Sequence, residues 1–344
     1  MKITASLALL LAAATLLASL AGTARAETSA LEQAATKEGQ VTWYTSQIDS
    51  DTAHVAAEEF SRLHPGIAVN VIRTTTQVAY QRVNQELAHQ AVQCDVFSTA
   101  DVGQYVRMAE KKEFAKYTPP NATKLSPLFQ NYDPQGYYYP TQSGEMVIAY
   151  NTQKVRAADA PKGWRDLLDP KWKDKITAGS PAYGAYAGNW VILMSKMYGW
   201  KYLQDFRKNN PLVTRSGIDT VNFLNSGESW VGVSPTASVL QSADKGNPVQ
   251  IVYPNDGAVL MIVPSAVMDK APHPNAARLF LDFMLSKEYG DILVKARNEP
   301  LRPDVHPLPG AKAVTEIATI KLSNDEVTVG IPKIIKQWRD LFGD

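Results

Sequence analysis

Two short apolar runs about a hundred residues apart most constrain what this chain can fold into. The first, Glu145-Met146-Val147-Ile148-Ala149-Tyr150, lies inside YPTQSGEMVIAYNT at residues 139–152, bounded by Ser143-Gly144 and Asn151-Thr152. Its β-forming composition reads as a strand entered through a polar bend. The second, VLMIV from Val259 to Val263, follows Tyr253-Pro254-Asn255-Asp256-Gly257. Two strands introduced by bends are what a chain needs if it leaves one lobe, builds another and returns. The expected division is residues 27–142 with 258–344 in one lobe and residues 143–257 in the other, joined near Ser143-Gly144 and Asp256-Gly257. Two buried strands of a single domain are the alternative on the same residues.

Residues 1–26 read as an export signal outside the fold: Lys2 is positive, Leu7 to Leu20 is apolar, and Ala24-Arg25-Ala26 forms a small-x-small cleavage site before Glu27. The apolar core is short and Ala-rich for a membrane span, which favours a cleaved signal over an uncleaved anchor. The single cysteine, Cys94, is far from that site, so a lipid-modified N-terminus is not expected, and the missing twin arginine favours the general export route. The expected location is the periplasm.

Cleavage would leave 318 of the 344 residues, enough for two cores. Loss of Lys2 and Arg25 takes the formal charge from +1 to −1. A nearly neutral chain lacks the basic surplus that nucleic acid binding calls for. One cysteine excludes an internal disulfide and any CxxC metal knuckle, so packing must supply the stability. Cys94, just before an apolar strand, is expected as a buried filler.

From Gln40 onward strands and helices alternate, which argues for an open, largely parallel sheet. Several strands run into hydroxyl residues at the expected start of a helix: Ser46 after VTWYT, Thr75 and Thr76 after VNVIR, and Ser98 and Thr99 after DVF. Ser180 before Pro181 and Ser234 before Pro235 and Thr236 repeat the pattern, with serine as N-cap and proline at the first helical position. Helix N-termini carry unpaired N–H groups and partial positive charge, so several converging at strand ends make an anion site. The plainer reading is that each hydroxyl caps its own helix. Ser143, on the crossing, joins the candidate set. Arg215, in Val213-Thr214-Arg215-Ser216-Gly217, is the expected charge partner, through a bidentate fork to carboxylate or phosphate, with Arg73 second. Tyr253 and Asp256 are expected on the cleft floor, where an acid suits an amine-bearing solute.

Enzyme chemistry has little support. The sequence has no GxSxG, HExxH, GxxxxGK[ST] or GxGxxG motif, and its five histidines are scattered. A hydrolase on the same scaffold is the remaining catalytic alternative. Gly184 and Gly188 form a GxxxG that suits close packing. Residues 276–296 and 332–342 both carry helical apolar spacing.

The order VTWYTS, DVFSTAD, SGEMVIAYNT, YPNDGAVLMIVPSAV and HPNAARLFLDFMLSKEYGDILVKA resembles the periplasmic solute-binding proteins of ABC importers, in the branch with ferric-ion, thiamine, phosphonate and sugar-phosphate binders. The resemblance implies a bilobal α/β type II binding-protein fold, a monomer that closes on a small-molecule solute by hinge bending and hands it to an inner-membrane ABC permease. In ferric-binding relatives adjacent tyrosines of the second lobe hold the metal. Here Ser46-Gln47-Ile48 has no histidine and Ser234 to Ser238, SPTAS, has no tyrosine, while Tyr137-Tyr138-Tyr139 falls elsewhere and reads as a partly exposed segment near the hinge. Hydroxyls and helix N-termini suit an oxyanion better than ferric iron. A small anionic or zwitterionic organic solute is therefore expected ahead of iron, without metal or cofactor.

Overall fold

A computed structural model of the chain describes residues 30–215 and 217–343; the expected export signal and Ser216 lie outside them. Helix α1 includes residues 30–38. There follow β1 (Gln40–Thr45), α2 (Ser50–Leu63), β2 (Ala68–Arg73), α3 (Thr76–Ala88), β3 (Val96–Ser98) and α4 (Val102–Glu110). β1 pairs in parallel with both β2 and β3, as the alternation requires. Asp49 starts α2 by accepting the Thr52 amide at 2.8 Å, and Asp101 starts α4 by accepting that of Gly103.

The crossing is one continuous strand. β4 runs thirteen residues, Tyr139–Asn151, so the polar YPTQ segment is part of the ladder and not a bend before it. Its first half pairs antiparallel with β9 (Ala258–Val267), from Tyr139 opposite Ser265 to Met146 opposite Val259. Its second half changes partners to β7 (Val231–Pro235) on one side and β8 (Val249–Val252) on the other. β9 in turn passes from β4 and β10 (Thr319–Lys321) to β3. Beyond β7 lie β5 (Ile176–Gly179) and β6 (Leu212–Thr214), both parallel to their neighbours. The order is β2-β1-β3-β9-β4-β7-β5-β6, with β10 and β8 flanking the crossing pair.

Separate cores cover the two halves. Around β1 and β9, Trp43 and Phe60 meet Phe280 edge-on at centroid distances of 5.2 and 5.0 Å. In the other half Trp164, Trp190, Tyr202 and Phe206 pack between β5 and helices α5 (Ala185–Tyr198) and α6 (Lys201–Lys208). Each such side chain contributes about 1.5–3 kcal/mol by leaving water. Cys94 is fully buried, as its apolar setting predicts, and burial pushes its thiol well up. Of the three consecutive tyrosines, Tyr138 is buried against Tyr105 at 5.4 Å and is no part of an exposed segment.

Two helices differ from expectation. Residues 276–296 do not form one helix: α9 (Pro274–Phe283) ends and α10 (Lys287–Lys295) begins because Ser286 caps a new first turn, accepting the Tyr289 amide at 3.2 Å. The C-terminal helix α11 (Asn324–Phe342) starts eight residues before Pro332, at a reciprocal box in which Ser323 and Glu326 satisfy each other's amides. α11 touches α4 in one half and α5 and α6 in the other. Gly188 permits the contact with α5, since a Cβ there would run into Ile331 Cδ1. Trp338 seals it, fully buried and stacked on Phe342 at 3.9 Å. Among the described residues no helix is long and apolar enough to cross a membrane.

Candidate functional site

A cavity of about 200 Å³ lies between the halves, where the carboxyl ends of the strands meet β4. The first half contributes the turn Ser46 to Asp49 after β1, Arg73 at the end of β2 and Thr76 at the first position of α3. β4 contributes Gln142, Gly144 and Glu145. The second half contributes Tyr183 to Tyr186 at the start of α5, Gly217 at the start of α7 (Gly217–Ser226), and Pro235 to Ser238 at the start of α8 (Thr236–Asp244).

Among the described residues five helices therefore begin at this cavity, and three of them begin without a capping side chain. α3, α5 and α8 have Thr75, Gly184 and Pro235 at their N-caps, none of which makes a side-chain capping bond. First-turn amides left this way need an acceptor from outside the helix. They also point partial positive charge toward one spot. Gly217 lets two of the starts abut, because a Cβ there would lie 2.9 Å from Pro235 Cδ. Arg73 adds full charge; its Nε donates to the Ile48 carbonyl at 3.1 Å, which holds the guanidinium at the wall.

Polar side chains brace the walls. Ser46 Oγ and Thr76 Oγ1 share a hydrogen bond of 2.9 Å, and Gln47 Nε2 donates to the Pro264 carbonyl at 2.6 Å. Gln142 Nε2 donates to Asn298 Oδ1 at 2.7 Å. Glu145 is 3% exposed, and burial pushes its carboxyl up to about 7. Tyr186 stands over Gly144, and burial followed by the nearby Glu145 carboxyl pushes its phenol up, so the ring presents O–H at neutral pH.

Of the residues expected from sequence, Ser46, Arg73, Thr76 and Thr236 line the cavity. Thr75 stands next to it as the N-cap of α3. The others are held elsewhere. Ser98 is buried, accepting Trp43 Nε1 at 2.8 Å and sharing a bond with Ser265, and Thr99 donates to Gln104. Ser143 is buried within β4. Ser180 does not cap α5: its Oγ accepts the Ala182 amide in a turn, and the helix starts at Ala185. Ser234 sits inside β7, bonded to Thr220 at 2.5 Å, which moves the start of α8 one residue on to Thr236. Arg215 is exposed outside the lining, its guanidinium 5.9 Å from the ring centroid of Tyr183. Asp256 is not on the cleft floor: it accepts the Trp164 amide at 3.0 Å and the Tyr198 hydroxyl at 2.5 Å, fastening the turn before β9 to the second half. The Tyr253 hydroxyl accepts the Lys312 amide in a small neighbouring cavity.

Sequence reasoning missed Gln47, Asp49, Gln142, Glu145, Tyr183, Tyr186 and Asn298 as wall residues. An acid inside the apolar run of β4 was the plainest available signal, and Asp49 before an amphipathic helix was another. Asn298 carries no local signal.

A family model described as bacterial extracellular solute-binding protein matches residues 94–319. A putative 2-aminoethylphosphonate-binding periplasmic protein of Salmonella typhimurium is 26% identical over 318 residues, covering 88% of each chain. Among solved structures, the periplasmic binding protein AfuA of Actinobacillus pleuropneumoniae, with exogenous fructose-6-phosphate bound, has a TM-score of 0.77 at 21% identity, covering 89% of this chain and 99% of its own. Iron-bound HitA of Pseudomonas aeruginosa has a TM-score of 0.75 at 22% identity, covering 88% and 99%. The architecture is thus that of a periplasmic binding protein, two α/β lobes with a cleft between them.

Proposed function

The chain belongs to the bacterial extracellular solute-binding proteins, and from that premise we propose that it captures a small organic anion in the cleft and delivers it to an inner-membrane ABC permease. The observation that carries this reading is the meeting of three uncapped helix starts, those of α3, α5 and α8, with Arg73 at one cavity. Phosphonate, phosphate and carboxylate all accept such amides and a guanidinium fork. The similarity to a putative 2-aminoethylphosphonate-binding protein supports a phosphonate first.

In this reading the lobes are residues 27–142 with 258–344 and residues 143–257, with α11 resting against both. Ligand bridges them only when they close, and so shifts the population toward the closed form that the permease recognises. The protein acts as a monomer in the periplasm after cleavage behind residue 26, binds no nucleic acid and turns over no substrate. Ferric ion is the second reading, favoured by Tyr183 and Tyr186 in the cleft wall and by the likeness to the fold of iron-bound HitA. It must draw a proton from Tyr186, whose phenol burial holds up.

Calorimetry on the mature protein with ethylphosphonate, fructose 6-phosphate, citrate and ferric citrate decides between them. Binding of one metal-free anion with none of ferric ion is the expected outcome. Binding of ferric ion alone overturns it.

A further inference from the structure

Next to the cleft is a cavity of about 10 Å³, room for one water-sized group. Its lining includes Glu145, Thr236 and Asn298, which also line the cleft, and adds Tyr253 and Glu299. Ser143 bridges Glu299 across the strand, and alternation along β4 puts Ser143 and Glu145 on that same face. Both carboxyl groups are deeply buried, with Glu145 3% and Glu299 6% exposed. Glu299 Oε1 accepts the Val314 amide at 2.8 Å. By contrast, Glu145 Oε1 and Ser143 Oγ have no hydrogen-bond partner among the described residues. Buried acceptors without donors are costly and rare, and beside a ligand cavity they mark a place where the ligand supplies the donor.

We propose that this cavity is an ammonium subsite: while the solute's anionic end rests on the helix starts and Arg73, a primary amine enters beside Glu145, with Glu299 and Ser143 behind it. The inference rests on the anion reading above and narrows it to a zwitterion. Two cations also line this cavity: Arg297 is held in a bidentate pair with Asp244, both contacts 2.6 Å, and Lys312 Nζ lies 5.8 Å from the ring centroid of Tyr253. Tyr186 and Tyr253 face the pair as neutral phenols, and Glu316 adds negative charge near Glu299. Burial pushes Glu145 up to about 7 and, aided by the Glu145 carboxyl, Glu299 up to about 8, so the empty pair holds protons near neutral pH. An arriving ammonium favours the ionised pair and expels a proton to solvent.

The test compares 2-aminoethylphosphonate with ethylphosphonate, which lacks only the amine, by calorimetry at pH 7 in two buffers of different ionisation heat. Wild type is expected to bind the aminated ligand roughly tenfold or more tightly, as a charge-assisted hydrogen bond predicts, with net proton release. Glu145→Gln is expected to bring the two ligands to nearly equal affinity and remove most of the release; Glu299→Gln, farther from the cleft, is expected to reduce both partly. Equal binding of the two ligands by wild type overturns the subsite. So does an amine preference that survives in both variants. Failure of wild type to bind either phosphonate overturns the choice of a phosphonate as the anion, a result distinct from loss of the amine preference alone.

Discussion

Of the two larger cavities that touch the crossing strands, the roomier is the poorer candidate for an anion. The one against β9 holds about 340 Å³ and is lined by Leu260, Met261, Ile262, Val102 and Val327 among polar neighbours. Two helices, α4 and α11, start there, and the Asp101 cap of one and the Ser323–Glu326 box of the other already occupy first-turn amides. The cleft against β4 holds about 200 Å³, yet receives three helix starts that no side chain caps, together with Arg73. Room is not what makes an anion site; unmatched peptide N–H groups aimed at one point are.

The comparison can be tested from its largest expected effect downward. Trp338→Ala, which loosens α11 over the β9 cavity, should cost about 3–5 kcal/mol of stability in urea titration while leaving solute affinity at 25 °C nearly unchanged. A parallel fall in affinity would join the two cavities functionally. Arg73→Ala should weaken anion binding by about 1.5–3 kcal/mol in calorimetry with little effect on stability. An unchanged dissociation constant would remove Arg73 from the site. Asp256→Ala should do the reverse, losing about 1–3 kcal/mol of stability because the Trp164 amide and Tyr198 hydroxyl lose their acceptor.

Glu145 predicts a pH effect of similar size. Its carboxyl keeps a proton up to about 7 in the fold, whereas the unfolded chain releases it near the ordinary value of 4.5. The folded state binds more protons across that window, so stability is greatest below it, declines as pH rises through it, and levels off above. Urea titrations at pH 5 and pH 8 should show wild type losing about 1–3 kcal/mol and Glu145→Gln losing less. An equal loss in both would assign the decline to other groups. Last and smallest, Gln130→Ala in the β9 cavity should change solute affinity by no more than about 0.5 kcal/mol.

Much of this fold was legible because its decisive strands contain apolar runs, Met146 to Tyr150 in β4 and Ala258 to Val263 in β9, which announce the crossing. The hydroxyl residues at strand ends were legible as a class but not one by one. A serine after a strand either faces the cleft or is taken by a neighbour, and the neighbour is usually remote. Ser98 is taken by Trp43, 55 positions away, and by Ser265, 167 positions away. Nothing local separates it from Ser46, which is bonded to Thr76 and still lines the cleft. Ser180-Pro181 and Ser234-Pro235 misplace two helix starts because a turn and a strand pairing override the capping preference. The Ser323–Glu326 box was readable from sequence, whereas the expected helix over 332–342 begins well after it.

The position of β9 has a further consequence, for the order in which the chain acquires its structure. In the sheet β9 lies between β3 and β4, although those strands are synthesised well before it. Until residues 258–267 arrive, β3 and β4 each present an open edge, and the two cannot join directly. Loop closure over so long a span precedes any reward from the pairing, which makes this step slow. The two halves of the sheet are therefore joined last, when this central strand pairs with both open edges.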